Sequence, residues 1–288
     1  MELFGTTALD ALVEWTRAGS AQEAVRIARS SLTTVLRLGA GASALPARGP
    51  RPDEQLVLYE REACPYSRRV REALAMLDLD VLSRPVPEGS TRHARELERL
   101  TGGRTVPALV DRGAGVVVQG SDGIIAHLFA RYGDGEVPLR LRLQATSTLA
   151  SRLGGERGER MRAAVVPAKP LELAGYEGSP ATRLVRERLT ELEIPYVSRQ
   201  LAPHSPRRAA YFAREGTMEL PHLVDPNHVD ASPVEAGSDG DVSLFGADAI
   251  LAWLDRTYAL TEGRARESGE PRSARAARPV RSLQEKTR

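Results

Sequence analysis

The sequence predicts an α/β protein in which one unit of strands and helices occurs twice. In residues 55–132, short continuous apolar runs alternate with apolar stripes of helical spacing. An internal repeat supplies the second observation: residues 63–79 match residues 178–194 at an offset of 115, with seven of seventeen positions identical. Chance gives far fewer identities over so short a stretch. Two copies of one domain therefore account for most of the 288 residues.

The first copy has a clear order of elements. The predicted strands lie at 56–59, 81–86, 108–110 and 116–118, and the predicted helices at 65–77, 90–102 and from 121 onward. Val70, Leu74 and Leu77 place one apolar stripe on the first helix. The order strand, helix, strand, helix, strand, strand, helix predicts a mixed sheet covered by helices.

The second copy repeats the landmarks of the first beyond the first helix. Val106-Pro107 corresponds to Leu220-Pro221, each at the start of an apolar strand. Further on, a Gly-Ser-Asp at 120–122 corresponds to a Gly-Ala-Asp at 246–248, each before an apolar helix. The repeat therefore covers a whole domain.

The repeat divides the chain into five parts. We expect a helical N-terminal extension and linker at 1–52, domain 1 with Cys64 at 53–133, a connector at 134–169, domain 2 at 170–260 and a basic disordered tail at 261–288. Helices packed on the main body or on a partner are our interpretation of the extension, and a membrane-surface helix is the alternative. The tail has no aromatic residue, which favours a solvated end over a nucleic-acid-binding arm.

Composition bounds the class of protein. An apolar content of 41% with 27% charged residues and a net charge of +2 is typical of a globular protein. A single cysteine excludes a disulfide within the chain, so nothing requires an oxidising compartment. Charged residues interrupt every apolar run, so we expect no membrane span and no signal peptide. The cytoplasm is the expected location.

The one cysteine lies where the first strand gives way to the first helix. Cys64 precedes Pro65, and proline suits the first helical turn because its missing N–H is one that the helix leaves unpaired. Free backbone N–H groups and the helix dipole favour a thiolate at that point. Arg68 and Arg69 add positive charge one turn further on. We therefore expect a reactive thiol at an exposed helix start, with an unreactive buried cysteine as the alternative.

Three motifs in this order, Cys64-Pro65-Tyr66-Ser67, Thr105-Val106-Pro107 and Gly120-Ser121-Asp122, resemble the glutaredoxin and glutathione S-transferase N-terminal families. The whole chain looks like the tandem glutaredoxin-like proteins of bacteria and plastids. The resemblance implies the fold class α/β, two tandem thioredoxin-like (glutaredoxin-type) domains with a helical N-terminal extension.

The resemblance also implies a site. Cys64 is the expected nucleophile, with Ser67 as the second catalytic candidate and Tyr66 beside them. Pro107 is the expected cis-proline, which leaves the Val106 backbone free to pair with glutathione. Ser121 and Asp122 are expected to hold the γ-glutamyl end through its carboxylate and amine. Without the resemblance, Pro107 is a turn before a strand and Ser121 a helix cap.

Two departures from the family pattern shape the functional expectation. Ser67 stands in place of the second cysteine of dithiol glutaredoxins, which leaves monothiol exchange. In the second copy Ser179 and Pro221 are the corresponding candidates. We favour a degenerate copy kept for packing or binding, and a serine that stabilises a bound glutathione thiolate is the alternative. Where a true transferase continues with an all-helical domain, a short connector and another thioredoxin-like copy follow here, so conjugation of bulky electrophiles is doubtful.

We therefore expect an enzyme, a monothiol oxidoreductase that uses glutathione or an equivalent small thiol as co-substrate, with glutathionylated proteins as candidate partners. A non-catalytic tandem thioredoxin-fold binding or scaffold protein is the alternative, followed by a glutathione transferase. We expect no metal, because the histidines lack zinc-ligand spacing, and no nucleic acid. The oligomeric state and the identity of the thiol stay open.

Overall fold

A computed structural model describes residues 41–45, 49–142, 158–229 and 241–260. The predicted helices of the N-terminal extension and the predicted tail at 261–288 lie outside the described residues.

Both copies have the predicted order of elements. The first copy contains β1 (Leu56–Glu60), α1 (Pro65–Met76), β2 (Val81–Pro85), α2 (Arg92–Thr101), β3 (Ala108–Asp111), β4 (Val116–Gln119) and α3 (Ser121–Tyr132), followed by the short helix α4 (Leu139–Arg142). The second copy contains β5 (Leu171–Gly175), α5 (Pro180–Glu191), β6 (Tyr196–Gln200), α6 (Arg208–Glu215), β7 (His222–Val229), β8 (Asp241–Phe245) and α7 (Ala247–Thr257).

The described strands form one continuous sheet, in the order β4-β3-β1-β2-β6-β5-β7-β8. Within each copy the first two strands are parallel and the last two antiparallel, which confirms the expected mixed sheet. The copies join where β2 pairs with β6, antiparallel, with Leu82 opposite Val197. The sequence did not predict this junction.

The alternation of side chains along the central strands separates two apolar layers in each copy. In the first copy Leu56 and Leu58 pack with α1 and α3, while Val57 and Tyr59 face α2 on the other side of the sheet. The second copy follows the same plan, with Leu171 and Leu173 facing α5 and α7. The start of each first helix therefore lies at the edge of its main core.

A ring of buried charges lies between the two copies. Arg71 Nε donates to Glu177 Oε2 at 2.9 Å, and the corresponding Arg186 Nε donates to Glu62 Oε2 at 3.0 Å. Each arginine also pairs with the glutamate of its own copy, at 3.2 Å for Arg71 and 2.7 Å for Arg186. Burial opposes ionisation of the Glu177 carboxyl, but Arg186 and Arg71 outweigh it and lower its pKa to about 2. We call these four residues the ion-pair ring.

A second pair of contacts between the copies lies outside the ring. Arg207 Nε lies 3.0 Å from Asp78 Oδ2, and the corresponding Arg92 Nε lies 3.5 Å from Glu193 Oε2. Both carboxylates belong to residues of positive φ, 55° for Asp78 and 51° for Glu193, directly after the first helix of each copy. The turn that ends each helix therefore presents an acid to the other copy.

The stretch that leads into each copy crosses over the other copy. We call residues 41–45 the first strap. Its Gly41 carbonyl accepts a hydrogen bond from Gly178 N at 3.2 Å. We call residues 158–162 the second strap. Its Glu159 carbonyl accepts a hydrogen bond from Glu88 N at 2.6 Å. A Cβ on Gly41 would meet Glu177 Cβ at 3.0 Å, and one on Gly158 would meet Glu62 Cβ at 2.9 Å. Both glycines also have positive φ, so each strap needs glycine where it passes the ion-pair ring.

We expect Glu177→Gln to lower the free energy of unfolding by about 3 to 5 kcal/mol, because it removes one of the two carboxylates that the buried Arg71 and Arg186 share and leaves an excess positive charge in the ring. The matched control is Glu98→Gln, which breaks an exposed pair with Arg104 and should cost less than about 1 kcal/mol. Denaturant unfolding at neutral pH measures both. The difference in unfolding free energy between wild type and Glu177→Gln should narrow as the pH falls toward 2, because the Glu177 carboxyl, whose pKa is lowered to about 2, then becomes protonated in the folded state. Equal effects of the two substitutions would contradict the importance of the ring.

Candidate functional site

Cys64 occupies the N-cap position of α1, with Pro65 as the first helical residue, as the sequence predicted. Its backbone is extended and its side chain makes no capping hydrogen bond. The prediction of an exposed sulfur was wrong, because Cys64 retains only 7% of its accessible surface. Its Sγ lies 4.0 Å from the carbonyl oxygen of Val106, so the loop that leads into β3 contacts the thiol.

The loop beside the thiol has the expected proline geometry. The Val106–Pro107 peptide bond is cis, and so is the corresponding Leu220–Pro221 bond in the second copy. The Pro107 carbonyl accepts from Gly120 N at 3.0 Å, which ties this loop to the start of α3. This bond joins the Thr105-Val106-Pro107 motif directly to the Gly120-Ser121-Asp122 motif, and Cys64 contacts the first of these two.

The other two residues of the Cys64 motif point in different directions. Tyr66 is 48% exposed and lies at the surface beside the helix start. Ser67 is buried, and its Oγ accepts from the backbone N–H of Arg61 at 3.4 Å. The hydroxyl of Ser67 thus holds the loop between β1 and α1.

Arg69 links the helix that carries Cys64 to the start of α3. Its buried guanidinium donates from Nη1 to Ser121 Oγ at 2.9 Å, and its Nη2 pairs with Asp122 Oδ1 at 2.7 Å. The Leu141 carbonyl in α4 accepts two more bonds, from Nε at 2.9 Å and Nη2 at 2.6 Å. Sequence reasoning treated Arg69 only as a positive charge. Leu184 at the corresponding position of the second copy was the available signal that the side chain points inward.

Arg68 follows Cys64 by one helical turn. It is buried, and among the described residues its Nε and Nη1 atoms find no hydrogen-bond partner. Burial and the neighbouring Arg183 lower its pKa to about 10. The guanidinium stays charged at neutral pH, and its charged neighbours are Arg183, Arg71, Glu177 and Glu62, so it lies beside the ion-pair ring.

The second copy uses the corresponding helix start for packing. Ser179 is buried, and its Oγ accepts from Thr182 N at 3.1 Å, which makes it an ordinary helix cap. The first strap lies directly over it, since a Cβ on Gly178 would meet Ala42 Cα at 2.7 Å. Ala44 of the same strap packs with Leu220, the residue before the cis-proline Pro221. The two second-copy candidates therefore lie beneath the chain's own strap.

Each copy also contains a buried carboxylate that sequence reasoning missed. Asp111 accepts from Tyr132 Oη at 2.7 Å and from His127 Nε2 at 2.8 Å, and these bonds outweigh burial and lower the pKa of Asp111. In the second copy Asp225 accepts from Tyr258 Oη at 2.7 Å and from Trp253 Nε1 at 3.0 Å. Both carboxylates tie the last helix of a copy to its hairpin, so we assign them a structural role.

The described ranges contain neither a metal cluster nor a spanning helix. No three of their His, Cys, Asp and Glu side chains are grouped so that they could hold a metal ion. No helix in the same ranges is long and apolar enough to cross a membrane.

We expect Arg69→Leu, the residue that the second copy uses, to loosen the start of α3. The change removes the donors to Ser121, Asp122 and the Leu141 carbonyl and should lower the free energy of unfolding by about 2 to 4 kcal/mol. Hydrogen exchange of the backbone amides at 121–124 should accelerate relative to wild type. Arg99→Leu is the control, because Arg99, on an exposed helix face, donates within the described residues only to the Arg95 carbonyl. Unchanged exchange at 121–124 would show that Arg69 does not position α3.

Comparison with known proteins agrees with this duplicated geometry. A family model described as "Glutathione S-transferase, N-terminal domain" matches residues 58–136 and again residues 173–264, together more than half of the chain. No curated protein and no solved structure gives a significant match. Each matched stretch holds one cis-proline, at Pro107 and Pro221, and Cys64 precedes the first helix of the first stretch. The chain therefore belongs to the family of the glutathione S-transferase N-terminal domain, which it contains in two tandem thioredoxin-like copies.

Proposed function

We propose that the protein is a monothiol oxidoreductase that acts through Cys64, with glutathione or an equivalent small thiol as co-substrate. The main support is the distance of 4.0 Å between Cys64 Sγ and the Val106 carbonyl, next to the cis bond before Pro107. A small peptide thiol that pairs with the Val106 backbone would bring its own sulfur close to Cys64. Membership of a glutathione-related domain family supports the choice of thiol.

The exchange runs in two balanced steps. The Cys64 thiolate attacks the glutathione sulfur of a mixed disulfide, the old S–S bond breaks, and the substrate thiolate leaves and takes a proton from water. The thiolate of a second glutathione then attacks the glutathione sulfur on Cys64. This step releases oxidised glutathione and restores the Cys64 thiolate. One mixed disulfide and one thiol thus become one free thiol and one symmetrical disulfide.

The surrounding charges suit a sulfur anion in both steps. Cys64 lies at the N-terminus of α1, where unpaired N–H groups and the helix dipole stabilise negative charge. Ser67 acts indirectly in this proposal, because its hydroxyl holds the Arg61 loop that precedes the thiol.

The rest of the ligand would extend toward α3. Ser121 and the first N–H groups of α3 suit a carboxylate of the thiol, with Arg69 behind them as counter-charge. Asp122 is 72% exposed at its side chain and could accept an ammonium group while it pairs with Arg69. Tyr66, exposed at the rim, would pack against the peptide.

A non-catalytic binding protein is the second candidate, and the burial of Cys64 favours it. A thiol with 7% of its surface exposed is accessible to a slim disulfide but poorly accessible to a disulfide on a folded protein. In this candidate the two copies present a surface, and the cysteine is a small apolar core residue.

Incubation of the native protein with oxidised glutathione should give a single adduct by intact-mass spectrometry, because Cys64 is the only cysteine. Cys64→Ser should give none, and wild type unfolded in denaturant should give one, which controls for thiol integrity. Turnover of a small glutathione mixed disulfide should likewise vanish in Cys64→Ser. A thiol that reacts only after unfolding would contradict the oxidoreductase. Retained binding of the Cys64→Ser protein to immobilised glutathione, without turnover in wild type, would instead support the binding protein.

A further inference from the structure

The second copy contains a cavity on the face of the sheet that carries α6. Its volume is about 430 Å³, within the range of pockets that bind small molecules. Glu172 and Ala174 of β5 line it, whereas Leu171 and Leu173 of the same strand face the core beneath α5 and α7. The cavity therefore lies on the opposite side of the sheet from the first helix of the copy, and Cys64 belongs to the other copy.

The first copy provides an internal comparison for this region. Tyr59 stands at the position of Ala174 and is fully buried against α2, where Arg84 donates to its hydroxyl at 3.2 Å. Val57, also buried, stands at the position of Glu172. The second copy has thus exchanged a large aromatic for a methyl group and a valine for a carboxylate. These two exchanges place a carboxylate and a small side chain on the face where the first copy has Val57 and Tyr59, and Ala174 packs there with Leu201 and Tyr211 at the cavity wall.

Hydrogen bonds already occupy the acids of the cavity. Glu172 accepts a two-pronged contact from Arg199, at 3.0 and 2.9 Å. Asp80, contributed by the first copy, pairs with Arg199 at 3.2 Å and with Arg207 at 2.8 Å. Arg214, by contrast, is 70% exposed at its side chain and within the described part of the chain donates only through Nε, to Glu215. The groups in the lining that can still form hydrogen bonds with a ligand are therefore mainly N–H donors of the arginine guanidiniums.

The remaining wall is apolar and held in place. Leu201 and Val224 line the cavity together with the nearly buried ring of Tyr211. The Tyr211 hydroxyl bonds to His222 Nδ1 at 2.9 Å, and His222 Nε2 bonds to Ser243 Oγ at 2.8 Å. Burial lowers the pKa of His222, so its imidazole adds no charge at neutral pH. The lining thus combines three arginines, two paired acids and a fixed apolar wall.

We propose that this cavity is a binding site for a small organic anion, a carboxylate on a short apolar or aromatic body. The carboxylate would take the free N–H groups of Arg214 and Arg199, and the body would pack on Tyr211 and Leu201 in the space that Ala174 leaves. The site lies at the junction of the two copies, because Asp80 comes from the first and the other lining residues from the second. It is independent of the thiol chemistry proposed for Cys64.

Fluorine NMR of the full chain with 4-fluorophenylacetate as probe tests the proposal. Wild type should bind the probe, and the uncharged 4-fluorophenylacetamide should bind at least about tenfold more weakly, because it lacks the charge that arginine recognises. Ala174→Tyr restores the residue of the first copy and should abolish binding. Arg214→Gln, at an exposed position that leaves the fold intact, should weaken binding about three- to tenfold. Arg104→Gln, an exposed arginine of the first copy, and Cys64→Ser should leave binding unchanged.

Several outcomes would overturn the site. Wild type could fail to bind the probe, or it could bind the acid and the amide equally well. An Ala174→Tyr protein of unchanged thermal stability could also bind the probe as well as wild type does. An unfolded Ala174→Tyr protein leaves Arg214→Gln as the deciding variant, and full affinity of that variant would refute the proposed anion contact. Loss of binding in Cys64→Ser would assign the probe to the thiol site instead.

Discussion

Four buried charges, Arg71 and Arg186 with Glu62 and Glu177, tie the two copies together. Removing charges from water costs several kcal/mol for each ion, and only close opposite charges repay that cost. Here each arginine bonds the glutamate of the other copy as well as that of its own, so the pairing of the buried charges in each copy depends in part on the other copy. The β2–β6 pairing and the two straps, which need glycine where they pass the ring, place both copies around it.

The ring also explains how the two copies could diverge without losing the fold. Cys64 and Ser179 occupy the same helix position just outside it, and the first keeps a thiol while the second is a capping hydroxyl beneath the first strap. On the other face of the sheet, the first copy keeps the packed Tyr59 and the second has Ala174 beside an open cavity. The shared charges hold both backbones, so the faces away from the ring were free to specialise.

Much of this architecture could be predicted from the sequence, because it depends on local patterns. The repeat, the order of elements and the start of α3 at Ser121 all follow from short motifs and periodicity. The cis bond before Pro107 was expected only from the family resemblance. The bonds between the copies could not be predicted, since Arg71 and Arg186 lie at ordinary helix positions and their partners in the other copy are more than a hundred residues away. The placement of Val106 beside Cys64 was expected only from the family resemblance, and only the exchange of Arg69 for Leu184 hinted at an inward guanidinium.

We expect the two copies to unfold as one cooperative unit. Pulsed hydrogen exchange of the β1 amides reports on the first copy, and the fluorescence of Trp253 reports on the second once the other tryptophan, Trp15, is replaced by phenylalanine. Both signals should be followed across one denaturant titration. We expect both probes to change with the same midpoint. Two separated midpoints, with one copy unfolded while the other keeps its native signal, would contradict the account.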